Sequence, residues 1–479
     1  MSAPGDIVSF DPARPSEEVA RVAVDPSAVV RCVGAARAAF PAWSDASMDE
    51  RAEHLRAWSA TCTRNVDRIA DLITRETGKI LPESRQEAQL LSDKVAVTLE
   101  ERVRARIAGY EVAGTGTRSN RCTWRPYGVM AVIGPFNFPA HLPNGHWVPA
   151  LLAGNTVVFK PSERAPATGA LMAELMAESG MPAGVFNLVQ GRGDAAAALV
   201  AHPDVEGVLF TGSWPVGRRI LEANLDRPGR MVALEMGGSN PAIVMDDADL
   251  RQAVIECVRC AYLSSGQRCT CTRRIVVHRF VAERFVRAFV ECARTLTVGP
   301  GNATPVPFMG PVISREARDA VLAFQRDCAV RGEEVLLESR ALPGEGWFVT
   351  PGVIRAPRFD RATDREVFGP VVRIAVADGL DDAIEQANAT DFGLAASVFT
   401  RSDAVVRTAM ARLRAGCINV NCGTAGASGK LPFGGLGRSG NLRPAGAAMI
   451  DSCAYPIATM AEAGDAATVP AGMTAPDRV

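Results

Sequence analysis

Between residues 129 and 234, five short apolar runs alternate with helix-patterned segments, and no other feature of the chain restricts its fold as much. The runs are Val129–Ile133, Thr156–Phe159, Val185–Val189, Val205–Phe210 and Met231–Leu234. Each is too uniformly apolar for a half-solvated strand, so each reads as a strand covered on both faces. Between them, Asn144–Ala153, Ala167–Ser179, Ala195–Ala201 and Val216–Ala223 carry helical patterns. That order implies a parallel sheet with crossover helices. A second series starts at Pro241-Ala242-Ile243-Val244-Met245. It runs through a helix at Leu250–Tyr262, a strand at 275–277 and a helix at Phe280–Leu296 to about residue 420. Residues 31–106 instead repeat apolar positions at helical spacing. The expectation is an α/β protein with two open αβα lobes, one ending near residue 236 and the other near 430. Residues 464–479, rich in Gly, Ala, Pro and Thr, read as a flexible tail.

A chain of 479 residues has room for two or three domains. Its net charge of −1 gives no reason to expect a nucleic-acid partner. The first residues lack a charged segment followed by an apolar core, and no stretch approaches the ~18 apolar residues of a membrane span, so a cytoplasmic protein without membrane contact is expected. The 12 cysteines are scattered, which argues for reduced thiols. Cys257 and Cys260 lie inside an apolar helical run, and Cys269 and Cys271 have the wrong spacing for a second zinc knuckle, so no metal site is expected.

Two residues stand out chemically. Cys269 lies in Gly266-Gln267-Arg268-Cys269-Thr270, after a helix and before a strand. Glu235 lies in Leu234-Glu235-Met236-Gly237-Gly238, on a glycine-flanked turn. A nucleophile and a separate carboxylate, both beside apolar strands, suggest covalent catalysis with a distinct base. Partial exposure near positive charge would lower the Cys269 pKa and favour its thiolate. The neighbouring Arg268 fits either a thiolate stabiliser that lines a substrate tunnel or a structural ion pair. Gly191-Arg192-Gly193 and the Phe210-Thr211-Gly212-Ser213 turn, with Gly217 one helical turn later, each follow a strand and open a helix. Helix N-terminal amides suit a pyrophosphate, and Ser213 suits an N-cap equally well.

The motifs that contain Asn137 (Pro135-Phe136-Asn137-Phe138-Pro139), Lys160 and Glu163 (Phe159-Lys160-Pro161-Ser162-Glu163), Phe210 to Ser213, Glu235, Cys269, Glu366 (Glu366-Val367-Phe368-Gly369-Pro370) and Pro432-Phe433-Gly434-Gly435 occur in that order. From about residue 30 to about 460 the chain resembles the aldehyde dehydrogenase superfamily. The resemblance implies NAD as cofactor and a Rossmann-type NAD-binding domain over 1–107 and 125–236. It implies a catalytic domain over 237–430 and an oligomerisation flap from 108–124 and 445–462 that pairs subunits into a homodimer or homotetramer. It implies Cys269 as nucleophile, the Asn137 amide and the Cys269 N–H as oxyanion donors, and Glu235 as the base for a hydrolytic water. Lys160 and Glu163 would hold the adenosine ribose, and Glu366 and Phe368 the nicotinamide ribose. A carboxylate at Glu163 would repel a 2′-phosphate and so favour NAD over NADP.

The stretches Phe138–His146, Gly266–Arg274 and Gly437–Asn441, with Arg443-Pro444, are similar to N-succinylglutamate 5-semialdehyde dehydrogenases of arginine catabolism. That similarity implies a small acidic aldehyde as substrate, with glutamate semialdehyde or a general aldehyde as the alternative. Arg268, Ser439, Gly440 and Arg443 are the expected substrate contacts, the amides around Ser439 and Gly440 taking a carboxylate without a buried cation. The chain departs from the pattern in three places. Asn421–Lys430 lacks the basic residue and the proline expected after its asparagine, Leu442 stands where a histidine is expected, and the segment to residue 30 shows no clear entry hairpin. A Cys-dependent hydrolase would need a paired histidine, and none of the five has a motif tying it to Cys269. A non-catalytic protein on this scaffold is the remaining alternative, although it would have no use for Cys269, Asn137 and Glu235 together.

Overall fold

The computed structural model describes residues 5–464 and 469–476. The first apolar series forms a five-stranded parallel sheet in the order Phe186–Leu188, Thr156–Lys160, Val129–Ile133, Gly207–Gly212, Met231–Met236. Its central strands are buried at every position, which is why their sequences show no alternation. The second series forms a seven-stranded sheet in the order Glu334–Leu337, Gly352–Arg355, Val371–Ala377, Thr272–His278, Asn240–Val244, Ala395–Phe399, Cys417–Val420. All its neighbours are parallel except the edge strand Glu334–Leu337. Only Gly237–Ser239 separates the last strand of the first sheet from the strand Asn240–Val244 of the second. The carboxyl end of one parallel sheet therefore leads straight into the other, and ligands bind at such ends.

Helices Ala28–Asp45, Met48–Arg64, Val66–Thr77 and Leu81–Leu99 pack beside the first sheet. Ser47 and Glu50 close a reciprocal capping box at the start of the second of these. Trp58, Leu91 and Trp147 lie in the shared core. A separate three-stranded antiparallel sheet joins Tyr110–Ala113, Arg118–Pro126 and Ala454–Glu462.

Two expectations need correction. The chain does open with an antiparallel hairpin, Ile7–Asp11 with Arg14–Val22. Its second strand is mostly exposed and carries Arg14, Glu17, Glu18 and Arg21, so no apolar alternation marked it. Phe210, Thr211 and Gly212 belong to the strand Gly207–Gly212 and not to a turn, and the helix Trp214–Glu222 begins at once after Ser213. The expected tail falls partly on residues 465–468 and 477–479, outside the described residues. Of it, 469–476 form neither helix nor strand.

Candidate active site

Helix Leu250–Tyr262 is followed by a turn in which Ser264, Ser265 and Gly266 all have left-handed backbone, with φ of 50°, 57° and 72°. Two serines in that region cost roughly 1–3 kcal/mol each, so the surroundings must hold them. Glu83 accepts from the Ser264 N–H at 3.2 Å and from its hydroxyl at 2.6 Å, and the Ser265 hydroxyl donates to the Gly310 carbonyl at 2.7 Å. A Cβ at Gly266 would lie 2.0 Å from the Gly369 carbonyl oxygen, so only glycine fits there. Beyond the turn, Asn240 Nδ2 donates to the carbonyls of Cys269 at 2.7 Å and Cys271 at 2.8 Å. The buried Arg273 guanidinium ties Gly266, Arg268 and Gly369 carbonyls together. Cys269 is thus carried by a loop pinned on both sides. Asn240, Arg273 and Glu83 were not singled out from the sequence, where each reads as an ordinary polar residue.

One cavity of about 690 Å³ brings together Asn137, Lys160, Glu163, Phe210, Thr211, Gly212, Ser213, Glu235, Cys269, Glu366 and Phe368. That volume is in the range of small-molecule sites. Asn137 is buried and its Nδ2 donates to the Gln267 carbonyl at 2.9 Å, which aims the amide beside the Cys269 loop. Glu235 is 5% exposed, its Oε1 has no hydrogen-bond partner, and burial pushes its carboxyl well above the usual range. A Cβ at Gly434 would come within 2.4 Å of that oxygen, so glycine keeps the pocket open.

Cys269 departs from expectation. Burial, with the charges of Glu235 and Glu366 behind it, pushes its thiol up to about 12. The groups around it are carboxylates, not cations. Arg268 faces the other way: its Nε donates to Ser264 Oγ at 2.9 Å, it pairs with Glu83 at 3.4 Å and lies over the Phe138 ring. Of its two readings, the structural ion pair is the one seen.

In the same cavity, Lys160 is buried and donates to the Glu163 carboxylate at 3.3 Å. Against the cost of partial burial, Lys160 holds the Glu163 carboxyl below its ordinary value. Ser213 stands at the start of helix Trp214–Glu222 in extended backbone with no side-chain capping bond, so its hydroxyl is not spent on the helix. Glu366 accepts from the Gly238 N–H at 2.9 Å and presses on Gly237, where a Cβ would lie 1.9 Å from its Oε2. Arg273 sits over Phe368. Gly191 and Gly217 do not line the cavity. A Cβ at either would strike Ala195 Cβ or Met236 Sδ at 2.2 Å, so both glycines let a helix approach what lies behind the site. The lining fits a dinucleotide: a helix N-terminus whose Ser213 hydroxyl is free of capping, and two carboxylates, Glu163 and Glu366, able to accept from ribose hydroxyls, all in one cavity.

The expected substrate contacts also lie elsewhere. Arg268, Ser439, Gly440 and Arg443 are absent from the cavity wall. Ser439 is fully buried and its hydroxyl accepts from the Gly393 N–H at 3.0 Å. Gly440 pairs with the backbone of Glu235. Asn441 donates to the Val232 carbonyl and accepts from the Leu234 N–H, both at 2.8 Å. Arg443 is exposed. This loop braces the strand that presents Glu235. The cavity is also lined by Leu90, Lys94, His141, Leu142, His146 and Phe433, with Ala427–Gly429 and Gly446.

Comparison with known proteins bears on this geometry. The model of the aldehyde dehydrogenase family matches residues 2–456. The chain is 43% identical over 436 residues to the N-succinylglutamate 5-semialdehyde dehydrogenase of Paraburkholderia xenovorans strain LB400, covering 91% of this chain and 89% of that one. To the enzyme of the same name from Sphingopyxis alaskensis it is 40% identical over 473 residues, 98% of this chain and 97% of the other. Among solved structures, a 1-pyrroline-5-carboxylate dehydrogenase from Thermus with bound NAD superposes with a TM-score of 0.90 at 30% identity, covering 96% and 90% of the two chains.

Proposed function

This chain belongs to the aldehyde dehydrogenase family, and from that premise we propose that it oxidises N-succinylglutamate 5-semialdehyde to N-succinylglutamate with NAD and water. The observation that carries the reaction is the convergence of Cys269, Asn137 and Glu235, whose Oε1 has no hydrogen-bond partner, in one cavity that also holds Lys160, Glu163 and Ser213. The substrate follows the relatives named above, which share 40–43% of their residues with this chain over most of its length.

Lys160 and Glu163 hold the adenosine ribose, Ser213 with the amides of its helix the pyrophosphate, and Glu366 and Phe368 the nicotinamide ribose. When bound, NAD supplies the hydride acceptor. Cys269 adds through sulfur to the aldehyde carbon, its proton passing to solvent, and the oxyanion that forms takes hydrogen bonds from Asn137 Nδ2 and the Cys269 N–H. Loss of hydride from that carbon leaves a thioester on Cys269. Glu235, which burial makes more basic than an ordinary carboxylate, removes a proton from the water that cleaves the thioester. A water-activating base at this place favours hydrolysis over transfer to coenzyme A. The carboxylate of Glu163 disfavours a 2′-phosphate and so NADP. Residues 1–107 and 125–236 serve as the NAD-binding unit and 237–430 as the catalytic unit. The exposed sheet of Tyr110–Ala113, Arg118–Pro126 and Ala454–Glu462 pairs subunits into a dimer or tetramer.

A substrate panel followed by NADH absorbance tests this reading. N-succinylglutamate 5-semialdehyde should exceed hexanal by at least about 100-fold in kcat/KM, on the scale of energy that remote charged groups supply to positioning. Cys269→Ala should abolish turnover, and Cys271→Ala should keep most of it. Equal use of neutral aldehydes would refute the substrate, and turnover by Cys269→Ala would refute the mechanism.

A further inference from the structure

Lys94 is a buried lysine that the reaction as derived does not use. It lies in helix Leu81–Leu99, is 7% exposed and lines the cavity that holds Cys269. Its Nζ donates to the Gly446 carbonyl at 2.8 Å, and Gly446 lines the same cavity. Among the described residues no carboxylate pairs with it, whereas Lys79 pairs with Glu87, Lys160 with Glu163 and Arg268 with Glu83. Among the described residues only Lys94 and Lys160 bring a cationic side chain to the cavity wall, and Lys160 belongs to the ribose site.

The groups that face Lys94 do not neutralise it. His141 and His146, on the helix His141–Ala153, are held neutral, burial pushing them down to about 4 and about 3. Cys453, the other titratable group felt by Lys94, is a buried thiol whose pKa burial pushes far up. Leu90, Leu142 and Phe433 complete an apolar surround. A buried ammonium with a single neutral acceptor is poorly compensated, and an anion arriving through the cavity would supply what is missing. Burial lowers Lys94 itself to about 8, so it is charged at neutral pH.

We infer that Lys94 is the specificity-determining cation of this site, binding a substrate carboxylate remote from the aldehyde carbon while the Gly446 carbonyl holds its ammonium in place. This rests on the substrate reading above. It places the carboxylate anchor on the helix Leu81–Leu99 and not on the loop around Ser439.

Lys94→Gln tests it, because the amide keeps a donor for Gly446 and loses only the charge. The readout is the ratio of kcat/KM for N-succinylglutamate 5-semialdehyde to that for hexanal. In Lys94→Gln this ratio should fall by at least about 50-fold, the scale of losing one partner of a buried charge pair. In Lys94→Arg, which keeps the charge, it should stay within about tenfold of wild type. Should the Gln variant not fold, Lys94→Met gives the same neutral comparison. A wild-type preference that survives in the neutral variant overturns the role of Lys94 and leaves the substrate reading standing. A wild-type ratio near one overturns both.

Discussion

To act as a base, Glu235 must carry its charge in a pocket that offers its Oε1 no hydrogen bond. The same burial that makes it basic makes it costly to the fold. Its folded pKa lies above the unfolded one, so its stabilising contribution is complete below the unfolded carboxyl value of about 4.3 and is lost as pH rises through the folded value. Glu235→Gln should therefore melt roughly 2–5 °C above wild type at pH 8, and the gain should shrink toward pH 5 in calorimetric scans. Its steady turnover should fall by about 10²-fold or more, and the rise of kcat with pH through the raised carboxyl range should disappear. A variant that retains that pH limb would remove Glu235 from the base role. At this scale Cys269, Glu235 and Asn137 were legible in the sequence because motif and chemistry agree. Lys94 was not, although its place on the buried face with Glu87, Leu91 and Thr98 is a signal that helical spacing could have shown.

Among the elements, the parallel strands were read nearly to their ends because burial on both faces leaves a continuous apolar run. The opening hairpin escaped notice because its exposed strand is dominated by charge. The Gly437–Asn441 loop was misread for a different reason. A Gly-Arg-Ser-Gly turn looks the same whether its amides face a ligand or a neighbouring strand, and here Asn441 and Gly440 clamp the strand Met231–Met236. Ser439→Ala would leave the Gly393 N–H unsatisfied in the core. The expected cost is about 1–3 kcal/mol in urea denaturation. Because Ser439 is buried and does not line the cavity, the ratio of acidic to neutral aldehyde use should not change. A selective loss of the acidic substrate would return this loop to the substrate site.

For the whole molecule, the carboxyl end of the first parallel sheet meets the amino end of the second at one cavity, and the chain passes between them in three residues, Gly237–Ser239. The exposed antiparallel sheet stands apart from that cavity. Its outer strands Tyr110–Ala113 and Ala454–Glu462 each have one neighbour, and Val112 is 55% exposed beside such an edge. Unpaired edges invite a second chain. Val112→Lys should lower the mass seen by light scattering to that of a smaller assembly, and an unchanged mass would move the subunit contact elsewhere. The account rests most heavily on a covalent acyl group passing through Cys269 and leaving by way of Glu235. The direct test is to mix Glu235→Gln with NAD and N-succinylglutamate 5-semialdehyde, quench in acid and weigh the peptides. The account predicts the N-succinylglutamyl mass on the peptide that contains Cys269, formed together with one equivalent of NADH. NADH formed with that peptide unmodified would contradict it.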